Sequence, residues 1–193
     1  MSLVTTAELI RDAHLRGGGV AAFNVITLEH AEGIIEGSRR SRHPVILQVS
    51  ENTVKFHSGQ IRPLAAALNA LAVEADTQVS LHLDHAENTD LWHRAADAGY
   101  SSVMVDCGSL PHDQNVAITA DVTKQLHHQG LSVEAELGYV GGLLRIGAYT
   151  RRVCAGHLGV LAADVAELGL DRKALMVQLF GDVSGDGNVL VVR

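Results

Sequence analysis

The chain has 193 residues, enough for one domain with a substantial core, and 47% of them are hydrophobic while only 4% are aromatic. Lys and Arg number 15 against 22 Asp and Glu, a net charge of -7, and the basic residues are too scattered to follow a phosphate backbone, which argues against a nucleic-acid partner. Because the sequence lacks both a run of about 18 apolar residues and a basic-then-apolar N-terminus, we expect a cytoplasmic protein without a membrane span.

Five short apolar runs predict β-strands. They are VAAFNV from Val20, PVILQV from Pro44, TQVSLHLD from Thr77, SVMVDC from Ser102 and SVEAELG from Ser132. Each of the first four is followed by a segment whose apolar residues recur at three- and four-residue intervals, which is typical of a helix that packs on one face. This alternation predicts parallel strands joined by crossover helices.

Polar side chains stand at or near the predicted C-terminal ends of these strands: Asn24, Ser50, Asp84, Asp106 and Glu136. Active sites of (β/α)8 barrels assemble at this edge, and no Gly-rich dinucleotide motif follows the first strand. We therefore predict an α/β chain of the (β/α)8 TIM barrel type. A complete barrel takes about 250 residues, so the sequence predicts an incomplete one, with about five βα units and a divergent tail.

The repeat changes after Gly142, which predicts two parts. Residues 1–142 are predicted to form the N-terminal part of the barrel, and residues 143–193 a divergent C-terminal tail. Within the tail, the sequence predicts a helix near Leu158 to Leu168 and two short strands, in ALMVQLF and in NVLVV.

The segment SLHLDHAEN carries ionisable groups in an apolar strand. Strand alternation puts His82 and Asp84 on one face, and His85 follows where the strand is predicted to end. An imidazole beside a carboxylate at a barrel mouth suits a metal ligand next to a general acid or base. The alternative is a hydrogen-bonded His-Asp pair that caps the strand, and this segment alone does not decide between the two.

Carboxylates on the neighbouring strands favour a cation. Glu134 and Glu136 are two residues apart on one strand and point the same way, and Asp106 ends the strand before it. Three carboxylates close together would repel one another unless a positive charge lay between them. A divalent cation is the simplest explanation.

Several motifs together resemble the class II, metal-dependent ketose-bisphosphate aldolases, the group that contains fructose-bisphosphate and tagatose-bisphosphate aldolases. The motifs are AFNV, PVILQVSE, LHLDHAEN, AGYSSVMVDCGSLPHDQN and SVEAELGYVGG. The resemblance extends from about Ala22 to Gly142 and keeps both order and spacing.

The resemblance implies a lyase that reversibly cleaves a ketose bisphosphate into dihydroxyacetone phosphate and an aldehyde, with Zn²⁺ or another divalent metal as cofactor. It implies that Asp84 is the catalytic acid/base and that His85 is a metal ligand. Asp106 and Glu136 match carboxylates that hold a second or alternative metal position in some members.

The resemblance also implies that Asn24 and Ser50 contact the substrate, a small phosphorylated sugar, and that the protein is a homo-oligomer. The family pattern includes two further metal histidines, in a Gly-x-x-His-Gly and a His-Gly-Gly-Ser-Gly setting, and neither motif follows Gly142. Two alternatives therefore stay open. One is a truncated or frame-disrupted non-catalytic remnant, and the other is an assembly module that pairs through an exposed sheet edge.

Overall fold

A computed structural model describes residues 2–136 and, beyond them, the backbone of two short strands. The helices are α1 Thr6–Leu15, α2 Leu28–Ser41, α3 Glu51–Phe56, α4 Ile61–Glu74, α5 Thr89–Ala98 and α6 His112–His128. The strands are β1 Val20–Asn24, β2 Val45–Ser50, β3 Val79–Ala86, β4 Ser102–Val105, β5 Ser132–Ala135, β6 Leu175–Val177 and β7 Val189–Leu190. All five strands predicted between residues 20 and 138 are confirmed, as are the four helices that follow the first four of them.

The described strands form one sheet in the order β6-β5-β4-β3-β2-β1-β7. Strands β1 to β6 pair in parallel, each with its neighbour along the chain, and β7 pairs with β1 in the antiparallel sense. Strands that neighbour one another in chain order are the arrangement of a (β/α)8 barrel.

The short strands β6 and β7 fall within the two tail segments for which strands are predicted. The predicted helix near Leu158 to Leu168 lies outside the described residues, and the division between residues 142 and 143 stays a prediction. Among the described residues, no helix combines the length and apolar character that crossing a membrane requires.

One face of the sheet packs against the crossover helices and forms the main core. Alternate strand residues such as Leu47, Leu81, Val103 and Val133 are fully buried there, in contact with a cluster that includes Leu68 of α4. Because both faces of a parallel sheet are normally covered, near-continuous apolar strands such as β2 are expected at its centre.

Helix α1 covers the opposite face at the N-terminal end of the strands. Leu9 and Ile10 of α1 are buried in a second cluster with Val20, Ala22 and Ile46. The helix begins with a capping box, in which the side chain of Thr5 accepts from the backbone of Glu8 and the Glu8 side chain accepts from the Thr5 backbone. The C-terminal ends of the strands, at the other end of this face, carry the polar groups.

Candidate metal and acid/base site

Asp84 and His85 lie near the end of β3, which continues to Ala86 instead of ending at Asp84 as the sequence predicts. The β3–β4 register shifts between Leu83 and Ala86, and His85 has a φ of 47°. Side chains of a regular strand alternate between its two faces. The irregularity instead lets two consecutive residues serve the same edge of the sheet.

His85 meets the two carboxylates that the sequence predicts as metal ligands. Its Nδ1 lies 3.0 Å from Oδ2 of Asp106 and 3.4 Å from Oε2 of Glu136. The ligand atoms of all three residues lie within 4.8 Å of one another, and each residue is half-buried. Asp106 follows β4 and Glu136 follows β5, so the three groups come from adjacent strand ends. We call these three residues the cation cluster.

The carboxyl groups of the cation cluster stabilise a positive charge between them. The hydrogen bond to Asp106 raises the pKa of His85 to about 9, although burial acts in the opposite direction. The same contact holds the pKa of the Asp106 carboxyl below its ordinary value. At neutral pH, the imidazolium of His85 therefore pairs with the Asp106 carboxylate and offsets one negative charge of the cluster.

The donor set fits a divalent cation. One imidazole nitrogen and two carboxylate oxygens are ligands that Zn²⁺ accepts, and catalytic zinc sites have three protein ligands with one position left for water or substrate. Among the residues that the structure describes, the cation cluster is the one such group of three.

A second polar group lies deeper on the same face. His82, Asp84 and Glu134 are each at most 3% exposed. Nε2 of His82 is 3.8 Å from Oδ1 of Asp84 and 3.3 Å from Oε2 of Glu134. Burial lowers the pKa of His82 to about 4. Burial, together with the charge of Asp84, raises the pKa of Glu134 well above its ordinary value.

Strand alternation correctly predicts that His82 and Asp84 share a face, and that Glu134 and Glu136 share one. It places Glu134 among three carboxylates around a cation and leaves the role of His82 open. It does not predict that His82 and Glu134 meet, because a strand pattern does not show which groups meet across strands. Three of the buried polar atoms here have no hydrogen-bond partner in the structure: Nε2 of His82, Oδ1 of Asp84 and Oε1 of Glu134.

Glu51 holds the loop that follows Asp84 and His85. Its Oε2 accepts hydrogen bonds from the backbone N–H of Glu87, at 2.8 Å, and of Asn88, at 2.9 Å. Its Oε1 lies 2.9 Å from Nζ of Lys55. No role is predicted for Glu51 from the sequence, although it is a buried acid in the first turn of a helix that directly follows a strand.

The two predicted substrate-binding residues lie at different distances from Asp84. Ser50 is the register partner of Asp84 on the neighbouring strand, and its hydroxyl accepts from the backbone N–H of Thr53 to cap α3. Asn24 is exposed at the end of β1, two strands from Asp84. The structure thus brings Ser50, but not Asn24, beside the candidate acid/base.

Solved aldolase structures share this fold. The YdjI aldolase from Escherichia coli K12 superposes with a TM-score of 0.68 at 24% identity, over 88% of this chain and 59% of that one. The fructose-bisphosphate aldolase from Campylobacter jejuni gives a TM-score of 0.69 at 21% identity, over 94% of this chain and 60% of that one. The described residues therefore form part of the TIM-barrel fold of these aldolases, as the sequence predicts.

Sequence comparison defines the family. The profile of "Fructose-bisphosphate aldolase class-II" matches residues 4–163, so the chain belongs to the class II fructose-bisphosphate aldolase family. Fructose-bisphosphate aldolases of Staphylococcus aureus (strain Mu50 / ATCC 700699) and of Staphylococcus epidermidis (strain ATCC 12228 / FDA PCI 1200) are each 38% identical to it over 145 residues. That match covers 74% of this chain and 50% of each relative, so the chain spans about half the length of these curated relatives.

Proposed function

We propose that this chain carries the cation-binding and acid/base part of a class II aldolase site, which reversibly cleaves a ketose bisphosphate into dihydroxyacetone phosphate and an aldehyde. The observation that carries the proposal is the cation cluster at the strand ends, whose His85 directly follows the buried Asp84 along β3. Membership of the family makes a small phosphorylated sugar the substrate class.

His85, Asp106 and Glu136 would hold the divalent metal, with Zn²⁺ as our first choice. Deprotonation of His85 is required, because only the neutral imidazole offers a lone pair to a metal. A bound divalent cation supplies Lewis-acid polarisation of a substrate carbonyl. The protein's part is to fix the donor atoms on three adjacent strand ends.

Asp84 is our candidate acid/base. In the cleavage direction it takes the proton from the hydroxyl on the carbon whose bond breaks, and in the synthetic direction it returns that proton. Support comes from the burial of Asp84 at the strand ends, next to His85 of the cation cluster. We assign Ser50, beside Asp84, and Asn24, further along the same edge, to substrate contacts.

The decisive experiment measures cleavage of fructose 1,6-bisphosphate by the purified chain with added Zn²⁺. We expect metal-dependent turnover that Asp84→Ala abolishes, whereas Asp97→Ala, which removes an exposed carboxylate of α5, leaves it unchanged. A parent chain that folds and binds Zn²⁺ without turnover would overturn the catalytic proposal and support the non-catalytic alternative.

We also propose a cytoplasmic homo-oligomer. Large apolar side chains near β1 and α3 are exposed, with Phe23 at 40%, Ile26 at 43% and Phe56 at 69%. Exposed apolar surface of this kind favours association with another chain. Size-exclusion chromatography with light scattering tests this proposal, and a monomer at micromolar concentration would contradict both the oligomer and the assembly-module alternative.

A further inference from the structure

A chain of buried hydroxyl groups joins helix α1 to His82. Oγ of Ser102 donates to Oγ1 of Thr6 at 2.8 Å, and Oγ1 of Thr6 donates to Oγ of Ser80 at 3.1 Å. Oγ of Ser102 also lies 2.7 Å from Nδ1 of His82. The three hydroxyl-bearing residues are fully buried and His82 is 2% exposed, so water does not compete for these hydrogen bonds.

The donor directions along this chain favour one tautomer of the imidazole. A hydroxyl group has one proton to donate. With the proton of Ser102 directed at Thr6, Ser102 acts as an acceptor towards His82, which assigns the hydrogen to Nδ1. The second nitrogen of a neutral imidazole has no hydrogen, which leaves Nε2 with a free lone pair. Burial favours this neutral ring.

The free nitrogen faces two carboxyl groups. Nε2 lies 3.8 Å from Oδ1 of Asp84 and 3.3 Å from Oε2 of Glu134, and it has no hydrogen-bond partner. The opposite tautomer would place an N–H group towards these oxygens. A hydrogen bond to a carboxylate stabilises its charged form and makes it a weaker base. The tautomer therefore decides whether His82 presents a hydrogen-bond donor or an acceptor to Asp84.

We propose that His82 is a positioning residue for Asp84, held by Thr6 and Ser102 in the Nδ1–H tautomer so that its Nε2 faces Asp84 as an acceptor and not as a donor. This inference rests on the acid/base role proposed above for Asp84. Because Nε2 is then an acceptor, His82 donates no hydrogen bond to the Asp84 carboxylate before the reaction. Once the proton has moved from the substrate hydroxyl to Asp84, a small rotation of the carboxyl group would let the new O–H group donate a hydrogen bond to Nε2 of His82.

The tautomer is measured directly by nitrogen NMR on the purified chain with ¹⁵N-labelled histidine. We expect a protonated Nδ1 and an unprotonated Nε2 for His82, assigned by the loss of these signals in His82→Gln. If that variant does not fold, through-bond correlation to the backbone of residue 82 gives the assignment. A hydrogen on Nε2 of His82 in the parent chain would overturn the inference.

Two substitutions of Thr6 test how the tautomer is held. Thr6→Val removes the hydroxyl at nearly constant volume and frees the proton of Ser102 to point at Nδ1, so we expect the hydrogen of His82 to move to Nε2. Thr6→Ser keeps the hydroxyl and should keep the parent tautomer. The ¹³C shift of the Asp84 carboxyl group should change in Thr6→Val and stay at the parent value in Thr6→Ser.

The outcomes separate this inference from the proposed function. A carboxyl shift of Asp84 that is unchanged while the tautomer moves would show a purely structural role for His82 and overturn the positioning role. A Thr6→Val variant that folds and keeps the parent tautomer of His82 would also overturn the inference. An inactive parent chain would overturn the aldolase proposal instead, because the NMR measurements need no turnover.

Discussion

Replacing Glu51 should loosen the loop after His85 more than it disturbs the rest of the fold. Each hydrogen bond to a charged group contributes about 1.5–3 kcal/mol, and Glu51 accepts two from the loop backbone. Glu87 and Asn88 are exposed residues, so water can replace the lost hydrogen bonds and offset part of this free energy when the carboxylate is removed. For Glu51→Ala we expect a loss of about 2–3 kcal/mol in the free energy of unfolding, measured by urea denaturation.

Amide hydrogen exchange in the loop provides a local test of the same prediction. In Glu51→Ala, amide hydrogen exchange at residues 87 and 88 should accelerate more than exchange in α4, and Zn²⁺ affinity should fall because His85 precedes this loop. Lys55→Ala is the matched control, since this exposed partner of Glu51 should contribute little. Equal effects of the two substitutions, or unchanged exchange at both amides, would refute the reasoning.

The same carboxylate gives a pH signature. Burial acts to raise the pKa of Glu51, but hydrogen bonds from Lys55 and from the backbone of Asn88 and Glu87 outweigh it, so the pKa lies below its ordinary value. A lowered folded-state pKa stabilises the protein above the unfolded value, which is about 4.3, and this contribution disappears as the pH falls through the folded value. The stability difference between the parent and Glu51→Gln should therefore narrow in acid.

Two further predictions concern the metal and a helix end. Because the pKa of His85 is about 9, metal binding must release its proton. Zn²⁺ affinity measured by calorimetry should therefore rise about tenfold per pH unit between roughly pH 6 and 8, and Asp106→Asn should weaken Zn²⁺ binding over this whole range. A Zn²⁺ affinity that does not depend on pH would contradict His85 as a ligand. Gly99→Ala should lower the free energy of unfolding by about 1 kcal/mol more than Gly17→Ala does. Both glycines have a positive φ, but a Cβ at Gly99 would lie 2.5 Å from Nδ2 of Asn69, whereas a Cβ at Gly17 would meet open space. Equal midpoints in thermal denaturation would disprove this steric argument.

Much of the fold follows from local pattern. The apolar run in β2 and the glycine that ends α5 are each signals that span only a few residues, and the elements that they predict are confirmed. Helix α1 is absent from the sequence-based prediction, although Thr5 and Glu8 carry its capping signature. Its apolar residues cover the N-terminal end of the inner face, a surface that exists only after the sheet has formed.

The candidate site is predictable to a smaller extent. The sequence predicts that His85, Asp106 and Glu136 share one edge, because parallel strands end together, and the structure brings them into contact. The contacts of His82 with Glu134, and of Glu51 with the loop after β3, span more than 35 residues of sequence. No spacing rule within one segment reports contacts of that kind.

The irregular end of β3 has a consequence for how closely reactive groups can be spaced. A regular strand presents every second residue to the same side, so its functional groups stand about 7 Å apart along the chain. At Leu83 to Ala86 the strand departs from this rule, and Asp84 and His85, two residues of the proposed site, are direct chain neighbours. Because only one peptide unit separates them, moving either group also moves the other. Deletion of a single residue just before this point would put His85 in the place of Asp84, the proposed base, whereas an insertion would put Asp84 in the place of His85, the proposed ligand.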